Sequence, residues 1–416
     1  MLKNVYLDNA ATTPIDKKVL KAMRPYWSEN FGNPSSLYKL GENTKKAIEK
    51  SRKDIADILF CNPNEIIFTG GGTVSVNLAL KGVMQYVDEL EENKKSHLIV
   101  SSIEHPAVLN TAKYLGELGY EVSILPVNVD GLVELETLKK VIKSNTKLIS
   151  IMMANNEIGT IQPIREIGKY LEKINKDREN KIYFHTDACQ AAGFLDINVN
   201  KLHIDLLTLN GSKIYGPKGI GILYVKKRTP LTPLIHGGGQ ENDLYSGTEN
   251  IPGIVGLSTA LKLVNDNKEK ENKRLIKLRE YLVSEIESKI DKTIFNGHRE
   301  KRLPNNINIS FIDIEAEAIS FYLDEIGIQI SVGSACASKN LDPSHVILAL
   351  GCPYEVAYGS IRFSLGKHTT KKNLKYVMKK LPGVIEYLRK GSLINADVEK
   401  LKENCLKNSL NMNKIN

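Results

Sequence analysis

The chain has 416 residues, of which 42% are hydrophobic and 25% are charged, and its formal net charge is +9. No apolar run approaches the roughly 18–20 residues of a membrane span, and the N-terminus lacks the apolar segment of a signal peptide. The composition therefore argues against a membrane or secreted protein and predicts a cytoplasmic globular protein with a large and a smaller domain.

The cysteines are five in number and none forms a CxxC pair. An odd count without such pairs argues against a disulfide framework and against a zinc site, so no metal is expected. Cys61, Cys189 and Cys352 have apolar neighbours and are predicted to be core residues.

The positive charge is concentrated at the C-terminus. Residues 367–416 hold 12 Lys/Arg and 4 Asp/Glu, whereas the rest of the chain holds 45 and 44. This segment is either a solvated lysine-rich helix face with a mobile tail or a docking surface for an acidic protein. Nucleic acid is less favoured, since the segment lacks interleaved aromatic residues.

Strand patterns alternate with helical patterns along the first half of the chain. Strands are predicted at 65–69, 98–100, 147–152, 182–185 and 205–209, with helices at about 73–87, after Pro106 and from Ile164. Such alternation predicts an α/β fold with a mainly parallel sheet and helices on both faces. Ligands of such sheets bind outside the carboxyl ends of the strands.

The pattern changes after about Gly253, where a long charged helical stretch begins. We predict a large domain over 16–262 and a smaller α+β domain formed by 1–15 and 263–390. Residues 391–416 are predicted to be a basic, Asn/Lys-rich tail that is either a short helix or disordered.

A glycine-rich turn, Gly70-Gly71-Gly72-Thr73, lies between a predicted strand and a predicted helix. Glycines let the backbone approach a ligand closely, and a helix N-terminus offers free N–H groups to an anion. The turn therefore predicts a phosphate site, although a plain flexible turn has the same composition.

Polar residues also follow the strand predicted at 182–185. Asp187 follows the strand at 182–185, and Gln190 comes three residues later. A carboxylate in this place could keep a pyridine nitrogen protonated, or it could simply cap a helix.

Lys213 lies in a glycine-bounded loop after the strand at 205–209, where it can be held rigidly as a nucleophile. Lys218 is the rival, and either lysine could be merely solvated. Cys336 lies among small residues, Ser334-Ala335-Cys336-Ala337-Ser338, which give a reactive thiolate access.

These motifs occur in the same order in the cysteine desulfurase family, the class V branch of the fold-type I pyridoxal-phosphate enzymes, which residues 5–390 resemble. Further carriers of the resemblance are Tyr6-Leu7-Asp8-Asn9-Ala10-Ala11-Thr12-Thr13-Pro14, Gly32-Asn33-Pro34-Ser35-Ser36, Glu104-His105-Pro106-Ala107-Val108, Asn155-Asn156-Glu157-Ile158-Gly159, His236-Gly237-Gly238-Gly239-Gln240-Glu241, Ser246-Gly247-Thr248-Glu249-Asn250 and Ser360-Ile361-Arg362-Phe363-Ser364-Leu365-Gly366.

The resemblance implies a homodimer that binds pyridoxal 5'-phosphate, takes sulfur from L-cysteine and passes it to an acceptor such as an iron-sulfur scaffold protein. By resemblance, Lys213 would carry the cofactor, Cys336 would receive the sulfur, and His105 would stack on the cofactor ring and move protons. The other residues that it implies in binding are Gly72, Thr73, Asp187, Gln190, Asn210, Ser212 and the partner-facing Thr248 for the cofactor, and Asn155 and Arg362 for the substrate carboxylate.

The chain departs from the family pattern around the phosphate. The family's Ser, Glu, Ser, His and two Arg residues are replaced here by Gly70, Val74, Asn210, Ser212, Asn242 and Tyr245. This predicts weaker cofactor binding. An active desulfurase, another pyridoxal-phosphate lyase such as selenocysteine lyase, and a non-catalytic paralogue all remain open. Retention of Cys336 and Lys213 favours the first.

Overall fold

The computed structural model of the chain describes residues 4–90, 96–333 and 343–412. Its strands form three sheets, which have seven, four and two strands among the described residues. The strands are β1 (Val5–Tyr6), β2 (Ile66–Thr69), β3 (His97–Ser101), β4 (Glu121–Leu125), β5 (Thr146–Ser150), β6 (Tyr183–Asp187), β7 (Leu206–Asn210), β8 (Gly221–Val225), β9 (Thr293–Phe295), β10 (Asn306–Phe311), β11 (Ile328–Gln329), β12 (Ser331–Val332) and β13 (Ser360–Ser364).

The described residues also form fourteen α-helices. They are α1 (Lys17–Met23), α2 (Pro25–Ser28), α3 (Lys39–Leu59), α4 (Gly72–Leu90), α5 (Pro106–Glu117), α6 (Leu135–Val141), α7 (Ile164–Ile174), α8 (Val199–Leu202), α9 (Ile251–Lys289), α10 (Ala316–Glu325), α11 (His345–Ala349), α12 (Tyr354–Tyr358), α13 (Lys371–Lys390) and α14 (Val398–Met412). Within the described part of the chain, none of these helices is long and apolar enough to cross a membrane.

The seven-stranded sheet has the order β2-β8-β7-β6-β5-β3-β4. All neighbouring pairs from β7 to β4 are parallel, whereas β8 is antiparallel to both β2 and β7. Its inner strands are buried on both faces, and every residue of β5 is buried although Thr146, Lys147 and Ser150 are polar. This topology confirms the predicted α/β class with a mainly parallel sheet.

Apart from β1 at the N-terminus, the strands of the smaller sheets follow α9 in the chain. The four-stranded sheet has the order β12-β13-β10-β9, and β1 pairs with β11 in a separate parallel ladder. Helix α9 joins the two parts. Its early residues Ile254 and Leu257 pack into the core of the large sheet, while Leu275 and Leu282 pack into the core of the small one. The predicted boundary at 262/263 thus falls inside one continuous helix.

The C-terminal helix α14 docks on the segment after α11. Cys405 forms a disulfide with Cys352, 53 residues away in sequence. Asn408 Nδ2 donates to the carbonyl of Gly351 at 3.1 Å. Gly351 has φ +85°, and a Cβ there would lie 2.4 Å from the amide nitrogen of Ser409. The prediction against a disulfide framework is therefore wrong for this pair, because an odd cysteine count still leaves room for two thiols that folding brings together. Cys352 is buried in the core, as predicted.

Candidate active site

A cavity of about 270 Å³ lies at the carboxyl ends of the parallel strands, where ligands of such sheets bind. The N-terminal segment and β13 of the small sheet close it from the other side. Its lining residues are Ala10, Ala11, Gly72, Thr73, His105, Ala107, Met152, Ala154, Asn156, Asp187, Cys189, Gln190, Asn210, Lys213 and Arg362.

Lys213 reaches the cavity from a 3₁₀ turn, Gly211–Lys213, that directly follows β7. Its Nζ donates to the carbonyl oxygen of Ala11 at 2.5 Å, so the amine is held beside the N-terminal segment. The rival lysine, Lys218, is exposed and lines a different depression. The structure thus puts Lys213 in the cavity and Lys218 outside it.

His105 is the N-cap residue of α5, and its Nδ1 accepts a hydrogen bond from the amide of Ala107 at 3.1 Å. Burial lowers the pKa of His105, and the nearby Asp187 carboxylate opposes this effect. The imidazole is therefore mainly neutral at pH 7, and its ring proton lies on Nε2 because Nδ1 accepts.

Glu104, next to His105, is fully buried. Its Oε1 accepts from Ser101 Oγ at 2.5 Å and from the amide of Met152 at 2.7 Å. Burial raises the pKa of Glu104 to about 8, and hydrogen bonds from Ser101 and Met152 oppose that rise. A neutral carboxyl group thus joins the turn that carries His105 to the segment that follows β5.

Asp187 is the last residue of β6, and its Oδ1 accepts from the amide of Cys189 at 2.9 Å. Gln190 donates from Nε2 to the carbonyl of Ala10 at 2.9 Å. Both side chains line the cavity from the same strand end. A carboxylate and an amide are thereby presented side by side.

Arg362 lies on β13 and is only 2% exposed. Its Nη2 donates to Asp8 Oδ1 at 2.7 Å, and its Nη1 donates to the carbonyl of Asn156 at 3.0 Å. Its buried Nε has no hydrogen-bond partner among the described residues. A buried donor without a partner calls for a ligand or a water at this position.

The adjoining residues Asn155 and Asn156 have different surroundings. Asn155 is fully buried, its Nδ2 donates to the carbonyl of Ile103 at 2.8 Å, and its Oδ1 accepts from the amides of Glu157 and Ile158. Asn156, rather than Asn155, lines the cavity. The structure thus gives no geometric support to Asn155 as a substrate ligand, since its amide shapes the turn instead.

The anion end of the cavity consists of the turn at 70–73, Asn210 and the N-terminus of α4. A Cβ on Gly72 would lie 3.0 Å from Cys189 Sγ and 3.2 Å from Asn210 Nδ2, so this close approach needs glycine. Gly71 has φ +144° and open space where a Cβ would stand. The turn therefore forms a cradle bounded by backbone.

Two residues that the sequence assigns to the anion end are not among the lining residues. The described contacts of Ser212 are through its backbone carbonyl, which accepts from the amide and hydroxyl of Thr13 at 2.9 and 3.0 Å. Thr248 is exposed, on the loop after the Gln240–Asp243 turn. Exposure of Thr248 suits a residue that serves a neighbouring subunit.

The chain has two cysteines of interest for the site, Cys336 and Cys189. Cys336 lies outside the described residues. Cys189 lines the cavity instead of lying in the apolar core alone, and sequence reasoning missed this. Burial, and then the Asp187 carboxylate, raise the pKa of Cys189 well above its ordinary value. Cys189 therefore stays protonated and is a poor nucleophile.

The polar groups of the cavity fit pyridoxal 5'-phosphate. They offer an amine, a carboxylate, an imidazole and a helix N-terminus with an open glycine cradle. The buried Asn210 Oδ1 and Arg362 Nε also lack partners in the described structure, as expected of groups that meet a ligand. Within those same residues, no three His, Cys, Asp or Glu side chains are grouped to hold a metal.

The chain is similar to proteins of known family. The aminotransferase class-V family model matches residues 5–377. The chain is 48% identical to the cysteine desulfurase IscS of Dictyoglomus turgidum over 389 residues, which cover 94% of this chain and 96% of that protein.

Two solved structures show the same likeness in three dimensions. A NifS-like protein superposes with a TM-score of 0.86 at 38% identity, covering 93% of this chain and 100% of its own. A second, described as SspA in complex with cysteine, superposes with a TM-score of 0.74 at 38% identity, covering 88% of this chain and 100% of its own.

Proposed function

The chain belongs to the cysteine desulfurase family of class-V aminotransferases, and from this premise we propose that it converts L-cysteine to L-alanine and a protein persulfide. One observation carries the proposal: a single cavity brings together the Lys213 amine, the His105 imidazole and the Arg362 guanidinium. The SspA structure in complex with cysteine supports L-cysteine as the substrate.

The overall reaction balances without a further oxidant. The Cβ–S bond of L-cysteine breaks, an S–S bond to the Cys336 sulfur forms, and Cβ takes a proton, which leaves L-alanine. The two electrons that reduce Cβ come from the two sulfur atoms, which become a persulfide. A thiol on an acceptor protein then takes the outer sulfur.

Pyridoxal 5'-phosphate, when bound, supplies an electron sink for the charge that develops at the substrate Cα. Asp187 and Gln190 would hold its ring, and Lys213 would carry it. The phosphate would be held by Gly72, Thr73 and Asn210, with Ser212 beside them and Thr248 serving the cavity of a partner subunit.

Proton transfer at the substrate requires a base and an acid close to Cα. The Lys213 amine and the neutral His105 imidazole both line the cavity, and each can hold or move one proton. Because Nδ1 of His105 is engaged by the amide of Ala107, Nε2 is the ring nitrogen that takes part.

The substrate carboxylate would bind at the Arg362 side of the cavity. Asp8 and the Asn156 carbonyl fix the guanidinium plane, so its Nε is oriented before the substrate arrives. Asn156 replaces Asn155 in this proposal because Asn156 is the asparagine that lines the cavity.

A homodimer would complete the site. Helices α1 and α2 and the loop before α3 expose large apolar side chains, with Trp27, Phe31, Leu37 and Tyr38 between 60% and 95% exposed. An apolar surface of this kind marks an interaction site. Sedimentation analysis of the purified protein should find a dimer, and a monomer that is fully active would contradict this arrangement.

The acceptor of the sulfur is proposed to be an acidic protein, such as an iron-sulfur scaffold. Helix α13 carries six lysines and one arginine, and a single glutamate, Glu386, which pairs with Lys390. Its positive field would attract an acidic partner and weaken with salt. Sulfur transfer that is independent of ionic strength would contradict this docking.

The proposed reaction is tested with L-cysteine and a thiol reductant. Wild-type protein should form L-alanine and sulfide in equal amounts, whereas Cys336→Ser should still bind L-cysteine but release no sulfide. Cys61→Ser, a half-buried cysteine outside the cavity, serves as the matched control. Sulfide formation by Cys336→Ser, or release of a product other than L-alanine by wild type, would contradict the proposal.

A further inference from the structure

Tyr245 lies against the turn that forms the anion end of the cavity. A Cβ on Gly70 would lie 3.1 Å from Tyr245 Oη and 3.9 Å from Val74 Cγ2. The Tyr245 ring is half-buried and packs on the apolar cluster formed by α4 and β2. Three positions that depart from the family pattern, 70, 74 and 245, are therefore one contiguous group within a single chain.

The position of Tyr245 is set by the backbone. Tyr245 pairs with Ile235 in an isolated parallel bridge, after the Gln240–Asp243 turn. Glu241 of that turn is buried, and its carboxylate binds Arg52 at 2.6 Å and the Phe68 amide at 2.7 Å. Since Phe68 belongs to β2, the turn before Tyr245 is tied to the strand that leads into Gly70.

The hydroxyl of Tyr245 lies 3.1 Å from the point where a Cβ on Gly70 would stand. It makes no hydrogen bond to any other residue within the described part of the chain. A phenol can donate one hydrogen bond, and an anion at a helix N-terminus accepts such bonds. The side-chain donors among the cavity's lining residues at this end are Thr73 and Asn210, whereas Tyr245 adjoins the turn at Gly70 and is not a lining residue.

We propose that the Tyr245 hydroxyl is a donor to the phosphate group of the cofactor, and that Gly70 is glycine to leave room for it. This rests on the proposed cofactor. A serine at 70 would place its Cβ 3.1 Å from the phenol oxygen, a separation tighter than ordinary contact. A hydroxyl at position 70 and a hydroxyl at position 245 therefore compete for one space, and this chain uses the second.

The group also explains why Val74 is apolar. Its Cγ2 faces the same point as the phenol oxygen, at the first turn of α4. A carboxylate at 74 would repel a phosphate at that helix N-terminus unless a cation neutralised it, and position 245 holds no cation. The neutral Val74 and Tyr245 pair avoids that charge.

The test is the affinity of the protein for pyridoxal 5'-phosphate, measured by titrating cofactor-stripped protein and following the absorbance of bound cofactor. Tyr245→Phe should raise the Kd for pyridoxal 5'-phosphate roughly tenfold to a hundredfold, the range for a hydrogen bond to a charged group. Its Kd for pyridoxal, which lacks the phosphate, should equal that of wild type.

A double-mutant cycle sharpens the test. Gly70→Ser alone should weaken binding, because the serine crowds the phenol oxygen. Gly70→Ser in the Tyr245→Phe background should recover affinity, because phenylalanine leaves the serine hydroxyl space to donate. Thermal melting of each protein without cofactor shows that the variants are folded.

The outcomes separate the inference from the proposed function. Failure of wild type to bind pyridoxal 5'-phosphate would overturn the proposed function. If wild type binds it, but Tyr245→Phe binds it equally well or weakens pyridoxal to the same extent, Tyr245 is a packing residue and the inference is wrong.

Discussion

In the cavity, side chains are fixed by hydrogen bonds with neighbouring backbone groups, whereas α14 is fixed by one disulfide and by close backbone contact. Lys213 and Gln190 each donate to a carbonyl of the N-terminal segment. At α14, Cys405 is bonded to Cys352, and the helix backbone touches Gly351. Substitutions in the cavity should therefore lower activity, whereas substitutions at α14 should lower the free energy of unfolding.

The largest expected effect is on activity in the cavity. Lys213→Ala should lower kcat for L-cysteine roughly 10²–10⁴-fold, because it removes a group that moves the proton at Cα. Lys218→Ala is the matched control, since Lys218 is exposed outside the cavity. The free energy of unfolding of both should stay near that of wild type. A Lys213→Ala protein that turns over L-cysteine like wild type would contradict this role of Lys213.

The opposite result is expected at α14. Cys405→Ser should lower the free energy of unfolding by about 4 kcal/mol without reductant, the entropic figure for a loop of this size. Reductant should bring wild type to the same value, and Cys61→Ser should change neither. The turnover of L-cysteine should be unaltered. Equal melting temperatures of Cys405→Ser and wild type without reductant would show that the disulfide stabilises nothing.

A smaller effect on activity is expected at Arg362. Arg362→Lys keeps a positive charge near Asp8 but loses the guanidinium Nε that lacks a partner in the described structure. Loss of one charge-assisted hydrogen bond should lower kcat/KM about 10-fold to 100-fold, mainly through KM. Arg274→Lys, at an ion pair outside the cavity, should leave kcat/KM unchanged. A pure kcat effect would argue against a role in holding the carboxylate.

Substitution of Glu104 should have an intermediate effect, since Glu104 is buried next to the cavity residue His105 and acts through stability. Its pKa is raised from 4.5 to about 8 by burial. Its neutral form therefore contributes stability that is full below pH 4.5, declines as the pH rises and is lost above about pH 8.

Between pH 7 and pH 9, the free energy of unfolding of wild type should fall by about 1.4 kcal/mol more than that of Glu104→Gln. Glutamine keeps the acceptor for Ser101 and Met152 but cannot ionise. Denaturant unfolding at the two pH values measures the difference. Parallel pH dependence of the two proteins would mean that Glu104 is already ionised at pH 7.

The same contrast explains what the sequence could predict. Asp187, Lys213 and the glycine turn were found because each follows a strand, and strand ends meet at one edge of a parallel sheet. The Cys352–Cys405 pair was missed because its formation depends on where α14 docks, and nothing in the local sequence specifies that position.

Within the cavity, the sequence does not distinguish two identical residues that adjoin, and Asn155 stays a prediction. Asn155 and Asn156 share one turn, and only the backbone conformation decides which amide faces the ligand. Tyr245 was recognised as a departure from the family pattern, but its contact with Gly70 required the folded chain. Cys336 stays a prediction, because it lies outside the described residues.

The most direct test of the account is to find the lysine that carries the cofactor. Protein loaded with pyridoxal 5'-phosphate is reduced with borohydride, digested, and its peptides are mapped by mass spectrometry. The account predicts a pyridoxyl label on Lys213, whose amine lies in the cavity. A label on Lys218, or no labelled lysine, would contradict it.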